Sequence, residues 1–382
     1  MAESRPCLRP TVLEVDVDAI CRNASKLKRH AEGAALLAVV KANAYGLGAI
    51  EVASALERAS LADWFGVALL EEAAPLRAAG IQKPILMLGP LYPSQAKAAL
   101  EQRLTPAIYN LDILKAIAEA SDKKPCAIHL KVDSGMGRLG FRPGELMKAL
   151  EALKSCPWLR VEGFFSNLAS ADDPASLQTA SQIAAFQEML AQVRAFGHDP
   201  HWVDLANSAG LLAHPASRFK MVRPGLTLYG LRPSNGLPDI GLEPAAAFRT
   251  VVIQVKDLPK GTPVGYGATY VTPKRQRIGI LPVGYADGLP RCAGNGRGYV
   301  LLRGQRCALL GRVSMDLCAI DLEPAGPVET GEPVTLWGKE GEESLTPLDW
   351  ASWAGTIPYE ITTHLSPRVA RRYFLDGKWK KS

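Results

Sequence analysis

The chain has 382 residues, of which 47% are hydrophobic and 21% charged, with a net charge of +6. That length predicts two domains, and the composition excludes a disordered chain. The basic residues are too scattered for a nucleic-acid surface, but mild positive charge suits small anions such as phosphate esters and carboxylates.

Read in chain order, the first informative segment is Ala38-Val39-Val40-Lys41-Ala42-Asn43-Ala44-Tyr45-Gly46. An apolar run from Ala34 to Val40 ends in a lysine, a small-residue turn follows, and Tyr45 and Gly46 open a helix. Catalytic groups gather at the carboxyl ends of strands in parallel-sheet enzymes, and a lysine desolvated there becomes a Schiff-base nucleophile. A surface lysine lying along a strand end is the plainer alternative. From Leu36 to Gly230 short apolar runs alternate with helical spacing. Strands are expected at residues 36–40, 64–69, 84–88, 105–109, 126–132, 159–166, 202–205 and 220–222, with helices at 50–59, 111–120, 145–154 and 176–196. About eight such units in roughly 200 residues predict a (β/α)8, TIM-like barrel. An open doubly wound sheet would carry fewer strands and a glycine fingerprint after the first. After Tyr229-Gly230 the pattern changes. A Pro- and Gly-rich linker over 232–239 precedes short strands at 248–255, 277–281, 299–302, 308–311 and 333–337, with one helix at 347–354. This predicts a mainly antiparallel β domain. The expected division is a barrel over 11–236 and a β domain over 237–382, joined by residues 1–10. Seven cysteines without a C-x-x-C pair argue for reduced thiols and against a disulfide framework or zinc. No leader or membrane-length run is present, so a soluble, cytoplasmic protein is expected.

Several barrel strands end in polar residues that packing does not require. Lys131 and Arg138 lie at or past one end, Ala206-Asn207-Ser208 at another, and Arg223-Pro224-Gly225-Leu226 at the last. Gly135, Gly137 and Gly225 taken singly are turn glycines. Backbone N–H groups and a serine hydroxyl at late strand ends also match the phosphate site that barrels build there. Together with a strand-end lysine they point to pyridoxal phosphate.

Val40-Lys41-Ala42-Asn43-Ala44-Tyr45-Gly46 resembles the pyridoxal-phosphate attachment motif of the bacterial alanine racemase family. The resemblance continues through His129-Leu130-Lys131-Val132-Asp133-Ser134-Gly135-Met136-Gly137-Arg138, Ala206-Asn207-Ser208-Ala209-Gly210 and Val222-Arg223-Pro224-Gly225. It runs on through Gly265-Tyr266-Gly267, Pro282-Val283-Gly284-Tyr285-Ala286-Asp287-Gly288, Arg312-Val313-Ser314-Met315-Asp316 and Pro358-Tyr359-Glu360, essentially the full chain.

The resemblance implies a pyridoxal-phosphate-dependent racemase that interconverts L- and D-alanine and supplies D-alanine for peptidoglycan. Lys41 would hold the cofactor and serve as base on one substrate face. The partner subunit's Tyr266, in a head-to-tail homodimer, would serve on the other, since racemisation needs a proton removed from one face and returned from behind. On composition alone Tyr266 reads as a packing aromatic. Arg223 would face the pyridine nitrogen, and Tyr45, Ser208, Gly225, Leu226 and Tyr359 would hold the phosphate. Arg138 would meet the cofactor's phenolic oxygen and the substrate carboxylate, Lys131 would be a carbamylated lysine that holds Arg138, and the partner subunit's Met315 and the partner subunit's Asp316 would bound the substrate pocket, with Tyr285 at its entrance.

Two departures stand out. In Phe165-Ser166-Asn167-Leu168 the family usually has a histidine at Asn167, thought to link the tyrosine base to the pyridine arginine; Asn167 is expected to keep a hydrogen-bonded link. Leu47, between Gly46 and Gly48, replaces a histidine with no catalytic role. The rivals are a serine, lysine or broad-specificity racemase on the same scaffold, a pyridoxal-phosphate decarboxylase, which would place a carboxylate at the ring nitrogen, and a barrel-only carrier, which would lack Tyr266 and Met315.

Overall fold

The computed structural model describes residues 9–380, and these divide into two compact units. One comprises Ala19–Ala44 and Ala49–Glu243; the other comprises residues 9–18, 45–48 and 244–380. The expected joining segment falls mostly on residues 1–8, which lie outside the described residues.

The first unit is a closed barrel of eight strands: β2 (Ala35–Val39), β3 (Trp64–Val67), β4 (Ile85–Met87), β5 (Leu104–Ile108), β6 (Cys126–Lys131), β7 (Leu159–Phe165), β8 (Trp202–Asp204) and β9 (Met221–Val222). Neighbours pair in parallel, and β9 returns to β2 through Ala35↔Met221 and Leu36↔Val222. Strands covered on both faces read as continuous apolar runs, and Trp64–Val67 and Ile85–Met87 are buried throughout. Several of the helices bury one apolar stripe. In Leu111–Ala120, Ile113, Leu114, Ile117 and Ala118 are buried, and Asn110 caps the first turn by accepting from the Ile113 N–H at 2.8 Å. Inside, His129 packs 5.2 Å from Trp64 and 6.3 Å from Phe165, centroid to centroid. Burial, and then the charge of Arg223, push its pKa down to about 3, so it is a neutral core residue. Gly163 makes room for it: a Cβ there would lie 2.2 Å from His129 Nδ1.

The second unit is built on a largely antiparallel sheet. Strand β1 (Val12–Asp16), absent from the sequence expectation, lies inside it near one end, antiparallel to β10 (Ala246–Val251) and parallel to β20 (Ala370–Leu375). The sheet continues through β18 (Pro333–Glu340), β15 (Tyr299–Leu302), β16 (Gln305–Leu310), β17 (Cys318–Asp321) and β14 (Gln276–Leu281) to β11 (Gln254–Leu258). The single strand expected over 248–255 is two, because the chain changes partners. The Val252 N–H donates to the Glu332 carbonyl, whereas the next residue, Ile253, donates to Ile280. Helix Pro347–Ala354 buries Trp350, whose Nε1 donates to the Leu336 carbonyl at 2.7 Å. A further helix, Pro358–Thr363, opens with proline at its first position.

Candidate functional site

In the barrel the expected residues gather at the carboxyl ends of the strands. Lys41 follows β2 by two residues, Lys131 ends β6, and Asn167 lies two past β7. Ser208 opens helix Ser208–Ala213 after β8, and Arg223 directly follows β9. Lys41 is partly buried. Burial first, then the positive charge of Arg138, lower its amine pKa; Glu72 opposes them, and Arg223 adds a smaller lowering.

The turn after Lys41 differs from the expected helix start. Ala42, Asn43 and Ala44 are left-handed (φ +50°, +54° and +52°), and Tyr45 follows at +56°. Each such L-residue costs about 1–2 kcal/mol, so the surroundings must fix the turn. Glu72 accepts from the Ala42 N–H at 2.7 Å, and Asn43 Oδ1 accepts from the Ala49 N–H at 2.9 Å. Glu72 also accepts from Ala68 and Leu69, a positioning duty the sequence reading missed although Leu69–Glu72 carries helix-start spacing.

Lys131 is 7% exposed, and its Nζ donates to the Leu88 carbonyl at 2.7 Å. Burial first, then Arg223, Arg138 and Lys41, bring its pKa down to about 7. Both it and Arg223 approach the Phe165 ring, with centroid distances of 5.1 Å to the amine and 5.4 Å to the guanidinium carbon. Arg223 is itself buried. It donates to the Ser166 carbonyl at 2.6 Å and to Asn167 Oδ1 at 3.3 Å, and it forms an ion pair with Asp204. Burial lowers its pKa to about 9, which leaves the guanidinium charged at neutral pH. Asp204, a lone carboxylate in the run Trp202-Val203-Asp204-Leu205, was overlooked in the sequence. At the last strand ends, the Gly225 N–H donates to Ser208 Oγ at 2.9 Å and Thr227 Oγ1 donates to the same oxygen at 3.1 Å. Gly135 and Gly137 do not form an anion cradle, because their N–H groups and that of Met136 all go to Asp133 Oδ1. Arg138, past this loop, is exposed.

Tyr45, Tyr266, Tyr285, Met315, Asp316 and Tyr359 lie in the other unit. The rings of Tyr45 and Tyr359 are 5.9 Å apart, and burial, then the charge of Tyr359, push the Tyr45 phenol pKa up. The N–H groups of Tyr285 and Ala286 donate to the carbonyls of Ser314 and Met315, which ties Tyr285 to the Met315 turn. Gly284 permits this, since a Cβ there would lie 2.3 Å from both carbonyl oxygens. Asp287, fully buried, accepts from both terminal nitrogens of Arg9 at 2.5 and 2.7 Å. Arg368 donates to Asp316 at 2.6 Å. Tyr266, between Gly265 and Gly267 at positive φ, is 71% exposed, and Met315 is 52% exposed.

The donor set fits pyridoxal phosphate. A lysine of lowered basicity suits an aldehyde, a buried charged arginine suits an unprotonated ring nitrogen, and the Ser208 hydroxyl beside Gly225 suits a phosphate.

Comparison with known proteins agrees in extent with this picture. The alanine racemase N-terminal domain model matches residues 15–233, and the alanine racemase C-terminal domain model matches residues 245–373. The chain is 42% identical to the alanine racemase of Symbiobacterium thermophilum, over 96% of this chain and 97% of that one. It is 41% identical to that of Carboxydothermus hydrogenoformans, over 96% and 100%. Among solved structures, alanine racemase from Streptomyces lavendulae superposes with a TM-score of 0.92 at 36% identity, covering 96% of this chain and 97% of that one. The Bacillus anthracis alanine racemase, solved with bound L-Ala-P, gives 0.91 at 37%, covering 98% and 97%.

Proposed function

The chain belongs to the alanine racemase family, an isomerase family dependent on pyridoxal phosphate, and from that premise we propose that it interconverts L- and D-alanine with two bases. Lys41 acts on one face of the substrate and the partner subunit's Tyr266 on the other. The single observation that carries this reading is the lowered basicity of the Lys41 amine at the carboxyl end of β2, under the charges of Arg138 and Arg223. An amine so placed has a neutral, proton-accepting form within easier reach than a solvated lysine does.

Bound pyridoxal phosphate would supply the electron sink that makes the alanine α proton removable. Lys41 anchors it; Arg223 offers its N–H to the ring nitrogen without giving up a proton. Tyr45, Ser208, Gly225, Leu226 and Tyr359 hold the phosphate. Arg138 contacts the phenolic oxygen and orients the substrate carboxylate. Met315, Asp316 and Tyr285 bound the substrate. Tyr266, 71% exposed in one chain, needs a covering surface to work as a base, and the exposed Met315 and Leu317 belong to the same unit. A head-to-tail homodimer supplies that cover, and D-alanine for peptidoglycan is the product it serves.

Lys131 is the site of carbamylation. An amine pushed down to about 7 is about half neutral near neutral pH, and the neutral form adds carbon dioxide: a bond forms from Nζ to carbon and one proton is lost. The resulting anion replaces a cation among Arg223, Arg138 and Lys41.

The test is incubation of the cofactor-loaded protein with single L-amino acids, followed by chiral chromatography. D-alanine should accumulate to near-equal amounts with L-alanine. Turnover of serine or lysine with none of alanine would instead favour the other racemases considered from the sequence.

A further inference from the structure

Asp204 ends β8 and is 0% exposed, and nothing in the reaction described above uses it. The register runs Lys131↔Phe165, Phe165↔Asp204 and Asp204↔Met221, so Asp204 stands at the level of the site, one strand away from Arg223. Its carboxylate pairs with Nη1 of Arg223; apart from that guanidinium, neither carboxylate oxygen has a hydrogen-bond partner among the described residues. Nη2 of Arg223 is occupied separately by the Ser166 carbonyl and Asn167 Oδ1, and the Phe165 ring flanks the group. The guanidinium is therefore held from several directions, with its counter-charge supplied by one residue.

Packing does not explain a carboxylate here. Inward positions of a barrel are normally filled by branched aliphatic residues, and a buried ion pair is often no more stabilising than an apolar pair of the same volume. What it does provide is placement, because without it the buried guanidinium would be unneutralised and its Nη1 end would lose the partner that fixes it. The geometry points to Asp204 as a positioning residue: a buried counter-charge that fixes Arg223 in the orientation from which it meets the cofactor's ring nitrogen. This rests on the proposed assignment of Arg223 to that nitrogen.

Two readouts test it on the full chain. The first is thermal unfolding without cofactor of Asp204→Asn, Arg223→Gln and the double variant. Each single change strands a buried charge, so the double variant should be more stable than either single one. A double variant no more stable than the worse single one overturns the pairing, and so does a double variant that fails to fold. A single variant that fails to fold while the double folds supports it. The second is the ring-nitrogen NMR resonance of isotope-labelled pyridoxal phosphate bound to each protein. Asp204→Asn should shift it in the same direction as Arg223→Gln. If Arg223→Gln shifts it and Asp204→Asn does not, the pair is structural only and the positioning role is overturned. If Arg223→Gln leaves the resonance unmoved, the assignment of Arg223 to the ring nitrogen fails, and the positioning role fails with it.

Discussion

Lys131 shows how far surroundings set a residue's chemistry. Its amine leaves the ordinary lysine value of 10.5 for about 7, because it is buried beside Arg223, Arg138 and Lys41. On unfolding the value returns to the ordinary one, so between pH 7 and 10.5 the unfolded chain binds more protons and stability rises with pH. In buffer free of carbon dioxide, Lys131→Met should flatten that rise in denaturant midpoint; an equally steep rise in the variant would locate its cause elsewhere. With isotope-labelled bicarbonate the native protein should show a carbamate resonance that Lys131→Met loses, and persistence of the signal in the variant would remove Lys131 as the modified residue. Asn167 is the other instructive residue, because its Oδ1 already accepts from Arg223 at 3.3 Å. If its role is to hold that arginine, Asn167→His should leave the pH profiles of racemisation nearly unchanged in both directions. A shift of about one pH unit in only one direction, roughly 1.4 kcal/mol, would show that the residue tunes a base electrostatically.

At the scale of elements, the left-handed turn after Lys41 is the costly one. Ala42 is exposed and its φ is +50°, so Ala42→Gly relieves the backbone without losing packing. After the larger freedom of glycine in the unfolded chain is subtracted, a gain of about 0.5–1 kcal/mol is expected in urea unfolding. Gly46→Ala should do the reverse. At φ +90° its new Cβ would sit 2.2 Å from the Thr362 carbonyl oxygen, and a loss of about 2–4 kcal/mol is expected. A stable Gly46→Ala variant would mean that the turn is looser than described. This turn was not legible in Lys41-Ala42-Asn43-Ala44, since neither alanine signals a left-handed backbone; the hydrogen bonds that hold it come from Glu72 and from Asn43 itself. The barrel strands were legible to within a residue or two, because strands buried on both faces are continuous apolar runs bounded by helical periodicity. Strand β1 was not, since its partners, Arg249 and Ala370 opposite Val12, lie more than two hundred residues away. Lys41 and Arg223 stood out as cations after apolar strands, whereas Asp204 acquires meaning only from the register that sets β8 beside β9.

For the whole molecule, the candidate site residues divide between two units. The lysines, arginines and Ser208 belong to the barrel, and Tyr266, Tyr285, Met315 and Tyr359 to the β unit. The central claim is that a working site takes Lys41 from one chain and the second base from the partner subunit's Tyr266. Lys41→Ala and Tyr266→Phe should each be inactive, and borohydride reduction of the native protein should leave the pyridoxyl label on Lys41. Mixing the two inactive variants tests the claim most directly, because a hybrid dimer holds one site with neither lesion. Under conditions where subunits demonstrably exchange, an equal mixture should regain about a quarter of native alanine racemisation, half the dimers being hybrids with one intact site each. No recovery under those conditions would contradict a shared site and return Tyr266 to its own chain or to no role in the chemistry.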